Sequence, residues 1–282
     1  MSRPRPLNAV VIGAAGRMGQ AVVRAASELP DRLLVSAAVA STTSKSLGRD
    51  AGELAGIGRI DVPVTDDLAA ALARADVVID FSQPHATRSN LTVCRAAGKP
   101  MLIGTTGFPA ELTALFDAAA TEIPLLVAPN TSVGVTLLIE LTRMAARALD
   151  ADFDIEIVEA HHRLKKDAPS GTALALGDAA AQGRGGAGAD RAKVPLPATA
   201  AAASRAGERR AGDIGFAVIR GGDIVGDHTV LFAGNGEQVT LGHRATDRSV
   251  FARGAVRAAL WLAARPPGRY FMRDIIGLKT EA

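Results

Sequence analysis

The chain is poor in aromatic residues, which make up 4% of its 282 residues and include one Trp and one Tyr, so its cores must be built from Ala, Val, Leu and Ile. One cysteine, Cys94, excludes an internal disulfide and a multi-cysteine metal site, and no metal ligands are assigned. It lies in Asn90-Leu-Thr-Val-Cys-Arg-Ala-Ala-Gly98, a helical pattern ending on a Gly C-cap, which points to a packed core thiol. No run of about 18 apolar residues occurs, so no membrane span is expected. The opening Met1-Ser-Arg-Pro-Arg-Pro lacks the apolar centre of a signal peptide, and the expectation is a cytoplasmic protein. Neither charge is in excess: 32 Lys and Arg stand against 29 Asp and Glu, too even to argue for a nucleic-acid partner. A hydrophobic content of 48% with 22% charged residues leaves a globular chain long enough for two domains.

What is present begins with Leu7 to Ile12, a short apolar strand, followed by Gly13-Ala-Ala-Gly16-Arg-Met-Gly19 and an Ala/Val-rich helical stretch to about Glu28. Strand, glycine turn and helix open a dinucleotide-binding βαβ unit, in which Gly13, Ala14, Ala15, Gly16, Arg17 and Met18 would lie under the pyrophosphate. A tight turn without a ligand is the alternative. A second strand, Leu33 to Val39, ends without the Asp or Glu that binds an NAD ribose; Val39-Ala40 is followed by Ser41-Thr-Thr-Ser44-Lys45. With no carboxylate to repel a 2′-phosphate, and with Ser41 and Lys45 to bind it, NADPH should be preferred and NADH second.

Short apolar strands at Val77 to Phe81, Met101 to Ile103 and Leu125 to Ala128 alternate with helical stretches near Asp66 to Ala73, up to Ala97, and near Glu111 to Ala120. Such alternation means a Rossmann-type α/β domain with a doubly wound parallel sheet, whose ligands lie beyond the carboxyl ends of the strands. Three loops fall there: Phe81-Ser-Gln-Pro84, Gly104-Thr105-Thr106-Gly107 and Ala128-Pro129-Asn130-Thr131-Ser132, each of which is also compatible with ordinary turn chemistry. A long helix, Val133 to Leu149, leads away. Beyond it come a strand from about Asp152, a helix after Ser170, a Gly/Ala-rich loop from Gln182 to Gly212 with a helical fragment at Ala198 to Ala203, and strands at Ile214 to Ile219, Thr229 to Phe232 and Gln238 to His243. This second half reads as an α+β domain with a four-stranded mixed open sheet, one face of which could pack on another subunit. A last helix, Val250 to Ala264, returns to the first domain. The expected division is 1–131 with 245–282 for the dinucleotide, and 132–244 for substrate and oligomer contacts.

The strongest chemistry is in Glu159-Ala-His-His-Arg-Leu-Lys-Lys-Asp-Ala-Pro-Ser-Gly-Thr-Ala173, where His161, His162, Arg163, Lys165 and Lys166 follow an alternating strand. Ser170 is a good N-cap for the next helix, and Gly171 and Thr172 at that helix N-terminus are well suited to hold a carboxylate or phosphate. The two features describe an anion pocket with proton donors; a solvated basic loop is the bland alternative.

Together with Gly13-x-x-Gly-Arg-Met-Gly19, Asp80-Phe-Ser, Gly104-Thr-Thr-Gly107 and Gly222-Asp-Ile-Val-Gly-Asp-His228, this motif closely resembles the bacterial 4-hydroxy-tetrahydrodipicolinate (dihydrodipicolinate) reductase family, NAD(P)H-dependent enzymes of the diaminopimelate route to lysine. The resemblance implies a homotetramer assembled through the second domain's sheets and a small dicarboxylate imine as substrate. It implies proton donation by His161 and Lys165, and substrate contacts at His162, Gly171 and Thr172, beside the capping Ser170. Cofactor contacts are implied at Gly13 to Met18, Gly104 to Thr106 and Ala128 to Thr131, near Phe81. Ala40 departs from the family, many of whose members carry an acid there. Two rivals remain: a semialdehyde dehydrogenase, which needs an activated cysteine, and a non-catalytic NADPH sensor, which needs no His-His-Lys cluster.

Overall fold

Apolar runs of three to seven residues, too short for helices, form a parallel sheet buried on both faces. The computed structural model describes residues 5–109, 111–149, 151–185, 209 and 212–278. It divides into two compact units, Met1–Val133 with Ser249–Ala282, and Gly134–Arg248. These divisions fall two and four residues beyond the ones read from sequence.

The first unit runs β1 (Leu7–Ile12), α1 (Arg17–Ser27), β2 (Leu33–Val39), α2 (Ala51–Ala55), β3 (Val64–Thr65), α3 (Leu68–Ala71), β4 (Val77–Asp80), α4 (Pro84–Ala96), β5 (Met101–Ile103), α5 (Glu111–Ala120) and β6 (Pro124–Val127). The chain then enters the second unit with α6 (Val133–Ala148), β7 (Asp154–His161), α7 (Gly171–Gly185), β8 (Ile214–Arg220), β9 (Gly226–Ala233) and β10 (Gln238–Ala245). It returns to the first unit with α8 (Ser249–Leu262), β11 (Gly268–Tyr270) and α9 (Met272–Ile275).

The seven strands of the first unit are all parallel, in the order β11-β6-β5-β4-β1-β2-β3. This is the Rossmann order, and it reverses between β1 and β4, where a crevice opens beyond the strand ends. Alternate side chains of β1 serve different cores: Ala9 and Val11 pack with α1 and α8, Val10 and Ile12 with α4 and α5. Burying both faces is why these strands carry no polar alternation. Cys94, on α4, is fully buried in the second of these cores.

The second unit holds a mixed sheet, β10-β9-β7-β8, with β7 parallel to β8 and antiparallel to β9. Its inner face sets Ile155, Ile157, Ile214, Phe216, Val230 and Phe232 against Leu138 of α6 and Leu176 of α7. The period of two carries Glu159 and His161 onto that same face at the end of β7, and both are buried. On the outer face Ile219 is 50% exposed. Helix α7 continues past Gln182 to Gly185, and the fragment at Ala198 to Ala203 lies outside the described residues.

Candidate active site

In the first unit the crevice loops follow adjacent strands and are stitched together by backbone. Phe81 N–H donates to the Ile12 carbonyl (3.0 Å), Gly104 N–H to Asp80 (2.9 Å) and Ala128 N–H to Ile103 (2.9 Å). Gly13 N–H and Ala14 N–H both donate to the Val39 carbonyl, which folds the turn back over β2. Residues Gly13 to Met18, Phe81, Gly104 to Thr106 and Ala128 to Thr131 thus gather at the ends of β1, β4, β5 and β6. Ser41 and Lys45 lie on an exposed turn after β2, with Ser41 Oγ 3.3 Å from Thr43 Oγ1.

Four observations test this crevice for a dinucleotide. Gly13 has φ of +76°, and a Cβ there would stand 2.5 Å from the Phe81 carbonyl oxygen, so backbone alone can line the turn. At Gly104 a Cβ would collide with the Phe81 ring, so that loop too must be bare. Helix α1 has Gly16 as N-cap with no side-chain cap bond and no acid in its first turn, leaving its first N–H groups for an anion. Thr105, nearly buried, has an Oγ1 without a partner, as a polar group meant for a ligand would. The residues fit a pyridine dinucleotide. Thr131 has its hydroxyl proton committed to the Phe251 carbonyl at 2.6 Å. Asp80, fully buried under this crevice, accepts from Ser82 N–H at 2.8 Å and has Thr87 and Asn90 within reach; burial pushes its carboxyl up.

The second unit carries the titratable cluster. Glu159 is fully buried, and His161 Nδ1 stands 2.5 Å from its Oε2. Arg220 grips the same carboxylate with two bonds of 2.8 Å, and Ser170 N–H adds a third donor at 3.0 Å. Burial alone would raise the Glu159 carboxyl, but His161, Arg220 and the Ser170 amide outweigh it and hold it at about 2. An ionised carboxylate there can only accept, so His161 donates to it through Nδ1–H and Nε2 is the ring nitrogen left for another partner. Ser170 caps α7 as the sequence implied, its Oγ accepting from Ala173 N–H at 3.1 Å while also lying 3.0 Å from His228 Nε2. Burial pushes His228 down to about 4, and His161 beside it, ring to ring at 5.0 Å, pushes the same way, so His228 is neutral.

Lys165 ends in an ion pair with Asp167 at 2.8 and 2.9 Å, which holds the Asp167 carboxyl below its usual range. His162 is half-buried, Arg163 and Lys166 are exposed, and Lys165 N–H closes a turn onto the His162 carbonyl at 3.1 Å. Gly171 is exposed at the N-terminus of α7, with nothing within 4 Å of where its Cβ would be. Among the described residues no cluster of His, Cys, Asp and Glu could hold a metal, and no helix is long and apolar enough to cross a membrane.

Family models for dihydrodipicolinate reductase match both parts of the chain, the N-terminal model over residues 7–131 and the C-terminal model over 134–276. The chain belongs to the dihydrodipicolinate reductase family. The 4-hydroxy-tetrahydrodipicolinate reductase of Alkalilimnicola ehrlichii is 53% identical over 95% of this chain and 98% of its own length. That of Anaeromyxobacter dehalogenans is 50% identical over 96% and 97%. Among solved structures, dipicolinate-bound dihydrodipicolinate reductase from Paenisporosarcina sp. TG-14 superposes with a TM-score of 0.73 at 25% identity, covering 96% of this chain and 99% of that one.

Within this reductase family the semialdehyde dehydrogenase rival has no chemistry to stand on. Cys94 is fully buried on α4, and burial together with the Asp80 charge pushes its thiol up to about 12. Four residues of the two clusters carried no role in the sequence reading: Glu159, Arg220, His228 and Asp80. Glu159 left a signal, since it stands two positions before His161 on a strand of period two and must share its face.

Proposed function

We propose that this reductase converts 4-hydroxy-tetrahydrodipicolinate to tetrahydrodipicolinate, the 4-hydroxyl leaving as water and the ring gaining one hydride and one proton, in the diaminopimelate route of lysine biosynthesis, with NADPH preferred and NADH accepted. The observation that carries the reading is the pairing of a fixed His161 and of Lys165 with the exposed Gly171 at the N-terminus of α7 in one cluster. When bound, the nicotinamide supplies the hydride. The N–H groups of Gly171 and Thr172 hold one substrate carboxylate, and His162 and the Lys165 ammonium balance the other charge. Lys165 delivers the proton that compensates the negative charge developing on the ring, and His161, its Nδ1 tied to Glu159, relays protons through Nε2. Positioned acid catalysis of this kind contributes about 10²–10⁴ in rate.

The NADPH preference rests on Ala40 at the end of β2, where no carboxylate repels a 2′-phosphate, and on exposed Ser41 and Lys45 just beyond it. A cytoplasmic homotetramer is part of the same proposal. Its supporting feature is the outer face of the second unit's sheet, where Ile219 is 50% exposed beside half-buried Ala217, Val158 and Ala160.

Steady-state oxidation of NADPH and of NADH, with 4-hydroxy-tetrahydrodipicolinate generated in the cuvette, tests the reading. Turnover with a higher kcat/KM for NADPH supports both parts of it. No turnover with either cofactor, in protein that still binds NADPH, leaves the dinucleotide crevice standing and overturns the catalytic assignment. Light scattering of the eluting protein decides the tetramer.

A further inference from the structure

Arg220 closes β8, 61 positions along the chain from Glu159, yet its guanidinium meets both arms of the titratable cluster. Parallel pairing of β7 and β8 sets Arg220 directly beside His161, and the Gly221 N–H to His161 carbonyl bond (3.0 Å) holds that register past the strand ends. Toward one side, NH1 and NH2 grip the two oxygens of Glu159 in a fork, each bond 2.8 Å long. Toward the other, NH2 donates to the Asp167 carbonyl at 2.7 Å, while the Asp167 carboxylate holds Lys165. NH1 also donates to the Ile219 carbonyl at 2.8 Å.

We propose that Arg220 is a positioning residue shared by both proton donors, setting His161 through the rotation of the Glu159 carboxylate and Lys165 through the backbone of Asp167. The inference rests on the reductase reading above and deepens it. Its first support is a count of donors. NH1 bonds Glu159 and Ile219 and NH2 bonds Glu159 and Asp167, which commits four of the five donors, and the fifth, on Nε, is buried, so no exposed donor is left for a substrate anion. Arg220 therefore acts through its neighbours. The second support is the geometry of the fork. A bidentate guanidinium fixes the plane of a carboxylate, which a single ammonium does not. With the plane fixed, Oε2 meets His161 Nδ1 and Oε1 meets the Ser170 amide, so the imidazole orientation and the start of α7 are set together. The third is placement: the loop from His162 to Pro169 is tied back at Asp167, two residues from Lys165, by this same side chain.

Arg220→Lys and Arg220→Met, each compared with the unmodified protein, test the inference by three measurements. They are steady-state NADPH oxidation, titration with NADPH, and titration with pyridine-2,6-dicarboxylate as a dicarboxylate probe that cannot turn over. The expected result is kcat lower by about 10²-fold in Arg220→Met and by at least about tenfold in Arg220→Lys, because misplacing donors by an ångström costs rates of that order. Both dissociation constants should stay within about threefold, the pattern of an interaction felt only in the transition state. A kcat in Arg220→Lys reduced by less than that overturns the inference. So does a kcat loss matched by an equal loss of dicarboxylate affinity, which makes Arg220 a binding residue. Should Arg220→Met fail to fold, Arg220→Lys alone decides. Unmodified protein without turnover overturns the reductase reading and this inference with it, whereas active unmodified protein beside an equally active Arg220→Lys overturns the inference alone.

Discussion

Replacing Glu159 by Gln changes one atom and breaks a set of bonds that only an ionised carboxylate can accept. Four donors converge on its two oxygens: NH1 and NH2 of Arg220, the Ser170 amide and His161 Nδ1–H. A Gln side chain offers one acceptor and one NH2 group, so either orientation sets donor against donor and leaves the half-buried guanidinium half paired. Removing one charge of a buried pair costs about 3 kcal/mol or more. The acid dependence gives a second figure. The carboxyl drops from an ordinary value of 4.5 to about 2 on folding, which corresponds to about 3 kcal/mol at 1.36 kcal/mol per unit. Water reaching the His161 end, where that side chain is 11% exposed, reduces this to about 2 kcal/mol. Because the folded value is the lower one, this stabilisation is fully present above the unfolded value of 4.5 and is lost as pH falls from there toward 2. The only Trp and the only Tyr, Trp261 and Tyr270, belong to the first unit, whereas the β7 amides, read by native-state hydrogen exchange, belong to the strand that carries this cluster. In Glu159→Gln those amides should exchange about a hundredfold faster near pH 7, the equivalent of about 3 kcal/mol. The gap between the two proteins should begin to close below pH 4.5. Equal exchange in both proteins, or a gap that is the same at pH 7 and at pH 3.5, would refute the reasoning.

Lys165→Ala should lower kcat by about 10²–10⁴ while leaving NADPH affinity unchanged in a fluorescence titration; collapse of NADPH binding with it would show that donor and cofactor are not separate. Gly13→Ala puts a Cβ 2.5 Å from the Phe81 carbonyl at a φ of +76°, so its NADPH dissociation constant should rise at least about tenfold, equivalent to the roughly 1–3 kcal/mol that such strain costs. Burial pushes the Asp80 carboxyl up, which means its charge works against the fold above the unfolded value. Asp80→Asn, neutral and of the same shape, should therefore melt within a few degrees of the unmodified protein or above it, and Asp80→Leu well below, since the Ser82 amide loses its acceptor.

The first unit was legible because a parallel sheet covered on both faces writes itself as short apolar runs. β1, β2, β5 and α5 end where the sequence pattern ends. What escaped is held by distant partners. Helix α2 is five residues long and forms around Asp50, whose carboxylate accepts from the amides of Gly52, Glu53, Ile60 and Val62; no local pattern announces four bonds spread over eleven residues. β3 is two residues beside β2, and β11 is an edge strand of Gly268, Arg269 and Tyr270 that pairs only with β6. Such segments are strands because a neighbour offers hydrogen bonds, not because their residues prefer extension.

For the site, residue type was readable and partnership was not. The run of five basic residues suggested a positive pocket, and the fold pairs two of them, His161 and Lys165, with acids. Glu159 answers His161 and Arg220, Asp167 answers Lys165, and His228 is held neutral by burial. This matters for a dicarboxylate. A bare cluster of cations would bind two carboxylates tightly in the ground state and gain nothing in the transition state. On the proposed reading, cations already paired to acids, Glu159 buried and Asp167 exposed, are instead held in one geometry before substrate arrives, and one substrate carboxylate is left to the amides at the start of α7. On the proposed reading, the acids that look out of place in an anion pocket are thus what hold His161 and Lys165 as an aligned pair of proton donors rather than a binding patch.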